Sequence, residues 1–159
     1  MYNINIDNVS IAEEKKIDEL SERKKVMIVD DYKPTVFLLS QWLSKSYSTI
    51  VGYDGHEALT KIKVLKERYN LLPDFILLDI DMPGIKGHEV CKILKSNPEY
   101  SQIPIYFFSA LPSERLGEIM ADSEANGYFE KPGEIPEIID KIKEETSEPR
   151  HKPYLVSEI

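Results

Sequence analysis

The chain has a single cysteine, Cys91, so no disulfide can form within it. Its place in an apolar helical stripe reads as a small buried hydrophobe rather than a nucleophile. No apolar run approaches the roughly 20 residues of a membrane span. The start, Met1-Tyr2-Asn3-Ile4-Asn5-Ile6-Asp7, has neither the basic residues nor the apolar block of a signal peptide. These absences predict a soluble, cytoplasmic protein. A positive balance is missing too: 28 Asp and Glu face 20 Lys and Arg, for a net charge of −8. Such a surface has a poor grip on a phosphate backbone, which argues against direct nucleic-acid binding. His56, His88 and His151 have no metal-ligand spacing, and all three read as surface residues.

What the chain does have is length enough for one domain with a sizeable core, 159 residues, and a repeated alternation. Phe75-Ile76-Leu77-Leu78 reads as a strand buried on both faces; it ends on Asp79, and Pro83-Gly84 then force a loop. Val26-Met27-Ile28-Val29 is a similar strand ending on Asp30-Asp31. Pro34 opens a helix whose Val36, Phe37, Leu38, Leu39, Trp42 and Leu43 predict a core face, with Trp42 in the core. Residues 47–51 predict the second strand, and Asp54-Gly55 a turn. A helix with Ala58, Leu59, Ile62 and Leu65 on one face follows, ended by Asn70 and Pro73. Val90, Cys91, Ile93 and Leu94 mark a short third helix, stopped by Asn97-Pro98.

Ile105-Tyr106-Phe107-Phe108 predicts a fourth strand ending on Ser109, and residues 113–124 a weakly apolar fourth helix. Gly127–Glu130 predicts a fifth strand, followed by Lys131-Pro132. Ile135, Ile138, Ile139 and Ile142 give the last helix its stripe. Five strand–helix alternations imply an α/β fold: a five-stranded parallel sheet, doubly wound, with right-handed crossovers. Residues 1–24 read as an N-terminal extension, helical over 11–25, which is either solvated or packed as a lid or dimer contact. Residues 25–145 form the domain, and 146–159 a C-terminal tail.

In a parallel sheet all strand C-termini share one edge, where open α/β sheets bind ligands. Asp30, Asp31, Asp79, Ser109 and Lys131 each lie just past an apolar run. Neighbouring carboxylates repel one another unless a cation joins them, and hard oxygen ligands with room for water and phosphate suit Mg²⁺. A carboxylate can also attack phosphorus and form an acyl phosphate. Lys131 adds a compact positive charge, and Ser109 a hydroxyl donor. Together these groups read as a phosphoaspartate site with its own metal cradle.

Over residues 24–145 the chain resembles the receiver domain of two-component response regulators, of flavodoxin-like (βα)5 fold. The resemblance rests on Val29-Asp30-Asp31, Asp54-Gly55-His56-Glu57-Ala58-Leu59, Leu78-Asp79-Ile80-Asp81-Met82-Pro83, Gly87, Ser109-Ala110 and Lys131-Pro132. It implies that Asp79 is the phosphoacceptor and that Asp30 and Asp31 hold Mg²⁺ with the backbone carbonyl of Asp81. Ser109 is implied as the switch hydroxyl, Tyr128 as the switch aromatic, and Lys131 as the lysine that contacts the phosphoryl group, with a cis bond to Pro132. The expected partners are a histidine kinase or histidine phosphotransfer protein as donor, and a downstream protein on the face of helix 4, strand 5 and helix 5. A homodimer stays open. No DNA-binding or enzymatic segment follows residue 145, so a stand-alone phosphorelay receiver is expected, catalysing only its own phosphorylation and dephosphorylation.

Two positions depart from the family pattern. Lys86 stands where Asp or Asn is common, and reads as solvated surface, or else as a cation that contacts a partner or softens the site's charge. Gly133 stands where Phe is usual, which leaves the packing at the start of the last helix open. The Asp81 side chain either orients an attacking water or is an exposed, repelling carboxylate. Two other functions compete with the leading one. Asp79-Ile80-Asp81 is similar to the nucleophile pair of haloacid-dehalogenase-like phosphatases, but that pair belongs in the first strand. The other alternative is a receiver-like module that binds partners independently of phosphate.

Overall fold

The computed structural model describes residues 19–147. Its five strands are β1 (Lys25–Val29), β2 (Ser48–Gly52), β3 (Phe75–Leu78), β4 (Ile105–Ser109) and β5 (Gly127–Glu130). The helices between and after them are α1 (Lys33–Leu43), α2 (Gly55–Tyr69), α3 (Gly87–Ser96), α4 (Ser113–Ser123) and α5 (Ile135–Thr146). The strands are parallel, in the order β2-β1-β3-β4-β5. The chain therefore winds one way from β1 to β2 and the other way from β3 onward. The reversal opens a crevice at the C-terminal ends of β1 and β3.

Strand alternation divides the core in two. Met27, Val29, Ile76, Leu78, Ile105 and Phe107 pack under α2, α3 and α4. Val26, Ile28, Phe75, Leu77, Tyr106 and Phe108 pack under α1 and α5. The local signals act as the sequence implies. Pro34 occupies the first turn of α1. Asn70 caps α2 in the left-handed conformation. Asp54 does more than turn the chain: its carboxylate accepts from the Glu57 N–H and caps α2. Cys91 is fully buried, donates to the Ser123 carbonyl, and has its thiol pushed up to about 11 by that burial.

Helix α1 departs from expectation. Only Val36, Leu39, Ser40 and Leu43 are buried on it. Phe37, Leu38 and Trp42 are about half exposed, so Trp42 is not a core residue. An 11-residue helix on a sheet buries one stripe, and six apolar residues exceed it. Lys45 places its ammonium 4.6 Å from the Trp42 ring centre. Ile93 is likewise exposed on α3. Of the predicted N-terminal extension, residues 19–22 are helical and Leu20 is buried in the core. Its earlier residues, and the tail from residue 148, lie outside the described residues. No helix among the described residues is long and apolar enough to cross a membrane.

The uneven burial sets an expectation for stability. Phe107→Ala should cost about 3–5 kcal/mol in urea unfolding. Trp42→Ser should cost about 1 kcal/mol or less. Equal losses would contradict the burial assigned to α1.

Candidate phosphoacceptor and metal site

Backbone register builds the site. Val29 lies opposite Leu78, and the Asp79 N–H donates to the Val29 carbonyl at 2.9 Å. The next residue on each strand is an aspartate, so Asp30 and Asp79 stand side by side. Asp31 begins the following loop and is exposed. Carboxylate oxygens of Asp30, Asp31 and Asp79 all come within 4.8 Å of one another. That spacing and hard-oxygen chemistry fit a divalent cation that keeps part of its water shell.

Lys131 enters from the end of β5, where its N–H donates to the Ser109 carbonyl at 2.8 Å. Its ammonium is 2.6 Å from Asp30 and 3.6 Å from Asp79. The peptide bond to Pro132 is cis. The Phe108 ring centre lies 5.4 Å from the ammonium. Gly133, with φ +63°, leaves room for this ring; a Cβ there would stand 3.0 Å from Phe108. The Phe that is missing at 133 is thus matched by an aromatic ring arriving from β4.

Asp79 is nearly buried, and one of its oxygens accepts from the Ile80 N–H at 2.8 Å. Burial pushes its pKa up to about 6, with the Asp30 charge adding to the rise and Lys131 opposing it. Gly87 is required behind the site, because a side chain there would overlap the Asp79 carbonyl.

Ser109 is buried at the end of β4, and its hydroxyl accepts from the Leu111 N–H at 3.2 Å. Tyr128 sits partly buried on β5, opposite Phe107. Neither residue lines the cleft that the carboxylates share with Lys131. The Asp81 carboxylate is turned outward and pairs with Lys86 at 3.1 Å. Lys86 is not simply solvated, since its ammonium also donates to the Met82 carbonyl at 3.0 Å. His56 is exposed; His88 is partly buried, contrary to expectation, with a shielded Nδ1. His151 lies outside the described residues.

The cleft over the site encloses about 450 Å³. Beside the carboxylates its walls are apolar: Tyr32, Leu38, Phe108, Pro132 and Ile135. Sequence reasoning missed these walls. A spare aromatic at 108 and a glycine at 133 were the available signals.

A family model, response regulator receiver domain, matches residues 26–143. The chain belongs to this family. It is a receiver of phosphorelay signalling, not a conventional enzyme, and the pocket of Asp30, Asp31 and Asp79 is its phosphoacceptor and metal site. Solved receivers share the fold. The receiver domain of the Francisella response regulator 1452 is 27% identical, with a TM-score of 0.68 over 79% of this chain and 98% of that one. The phosphorylated cyanobacterial phytochrome response regulator RcpA is 28% identical, with a TM-score of 0.65 over 77% and 90%. A CheY-like receiver domain protein from Methanospirillum hungatei, 22% identical, matches in fold with a TM-score of 0.69 over 79% and 94%.

The raised pKa predicts a pH-dependent stability difference. Asp79 carries more protons in the folded chain than in the unfolded one between about pH 4 and 6, so its contribution falls as pH rises through that window. With a chelator present, Asp79→Asn should therefore be more stable than the native chain by about 1–3 kcal/mol at pH 7.5. The gap should close toward pH 4. Urea unfolding at both pH values checks this, and a gap that does not change with pH would contradict it.

Proposed function

We propose that residues 25–145 form a phosphoreceiver in which Asp79 accepts a phosphoryl group from a histidine kinase or a histidine phosphotransfer protein. An Asp79 carboxylate oxygen attacks phosphorus. The bond from phosphorus to the donor's imidazole nitrogen breaks, and its electron pair stays with the imidazole. Mg²⁺, held by Asp30, Asp31 and Asp79 with the Asp81 carbonyl, would neutralise charge on the phosphoryl oxygens. Lys131 supplies the second positive centre, because its ammonium is already 3.6 Å from the attacking carboxylate. That juxtaposition of Asp79, an acid pair and Lys131 carries the reading.

Ser109 follows the phosphoryl group: its oxygen gives up the Leu111 N–H and its O–H donates to a phosphoryl oxygen. Tyr128 turns inward behind it, and the face of α4, β5 and α5 changes for a downstream protein. The Asp81 carboxylate, held outward by Lys86, stays off the attacking water. The apolar wall of Tyr32, Leu38, Pro132 and Ile135 gives a donor protein something to pack on while its phosphohistidine reaches Asp79.

With Mg²⁺ and acetyl phosphate, intact mass should rise by one phosphoryl group in the native chain and not in Asp79→Ala. Leu38→Glu should slow transfer from a phosphorylated histidine phosphotransfer protein about tenfold, far more than it slows labelling by acetyl phosphate. Labelling of Asp79→Ala would remove the assignment.

A further inference from the structure

The net charge of −8 is not spread evenly. Residues 113–147 hold ten Asp and Glu against four Lys and Arg, a net −6 over α4, β5 and α5. Three of the four cations are already engaged: Lys131 in the aspartate pocket, Lys141 with Glu144 and Arg115 with Glu118. A groove of about 470 Å³ lies where β5 meets the first turn of α5. Tyr128, Phe129, Pro132 and the bare backbone of Gly133 form its body, and Glu130, Glu134 and Glu137 its rim. All three glutamates are exposed, and none has an ion-pair partner among the described residues.

The groove also runs along an open sheet edge. β5 pairs with β4 alone among the described strands. Alternate peptide groups of a parallel edge strand point away from its neighbour, ready to pair with another extended chain.

We propose that this groove binds an extended, basic segment of a partner protein as a sixth strand alongside β5. Backbone pairing gives the register, alternate small apolar residues enter toward Tyr128 on one face of the sheet, and the intervening Lys or Arg residues, on the face shared with Phe129 and α5, meet Glu134 and Glu137. The assignment rests on the reading of this face as the output surface, and adds to it the chemistry of the partner.

The test uses a fluorescent peptide of alternating lysine and valine, with a glutamate–valine peptide as control. Anisotropy gives affinity, and amide shifts of the isotope-labelled protein give location. Shifts should centre on residues 127–137. The double reversal Glu134→Lys/Glu137→Lys should weaken binding by about tenfold or more, while Glu67→Lys/Glu99→Lys, on distant exposed acids, should change it less than about twofold. Absence of binding overturns the proposal. So does equal weakening by both reversals, which is the response of a merely acidic surface, or a dimer through this edge that the peptide does not displace. Labelling of Asp79 by acetyl phosphate is measured alongside. A chain that is labelled and does not bind peptide sinks the groove alone; one that binds peptide and is never labelled sinks the phosphoacceptor reading of Asp79 alone.

Discussion

Three carboxylates cannot crowd together, two of them buried, unless positive charge comes with them. In this chain that charge comes from Lys131, which is 101 positions from Asp30 and 2.6 Å from it. The pairing depends on every strand between them. β1 brings Asp30, β3 brings Asp79 beside it, β4 supplies the Ser109 carbonyl that receives the Lys131 N–H, and β5 delivers the ammonium. A register slip in any of these would leave a buried charge unmatched, a state that costs several kcal/mol. The sheet and the pocket are therefore one specification.

The same balance explains why the pocket can do chemistry. Asp79 is the carboxylate least at ease, with its pKa near 6 from burial and from the Asp30 charge. Lys131 sits closer to Asp30 than to Asp79, so it offsets the Asp30 charge more than the Asp79 charge. Phe108 and Gly133 shape the wall along which that ammonium reaches between the two acids.

Much of this was legible before any coordinates. Apolar runs that stop on Asp, Ser or Lys declare both a strand and its functional end, and a parallel sheet gathers those ends on one edge. Asp30, Asp79 and Lys131 were readable for that reason. Burial on α1 was not. Phe37, Leu38 and Trp42 are as apolar as the residues that are buried, and hydropathy cannot rank rival stripes on a short helix. The pairing of Lys86 with Asp81 and the place of Phe108 in the cleft wall were missed for a different reason. Their roles depend on where a side chain points within a loop or across two strands, and spacing along the chain carries no record of that. Leu20 shows the limit at the other end, since one leucine in a charged segment gave little sign of belonging to the core.

Trp42 is the sole tryptophan, half exposed, and one turn along α1 from Leu38 in the cleft wall. The indole is thus a built-in optical reporter placed beside the entrance to the aspartate pocket. A protein laid along α1 would dry the ring and lift it away from the Lys45 ammonium, moving its emission to shorter wavelength. A small phosphodonor entering the same pocket would leave the ring wet. One intrinsic fluorophore therefore separates docking from phosphorylation without any label on the chain.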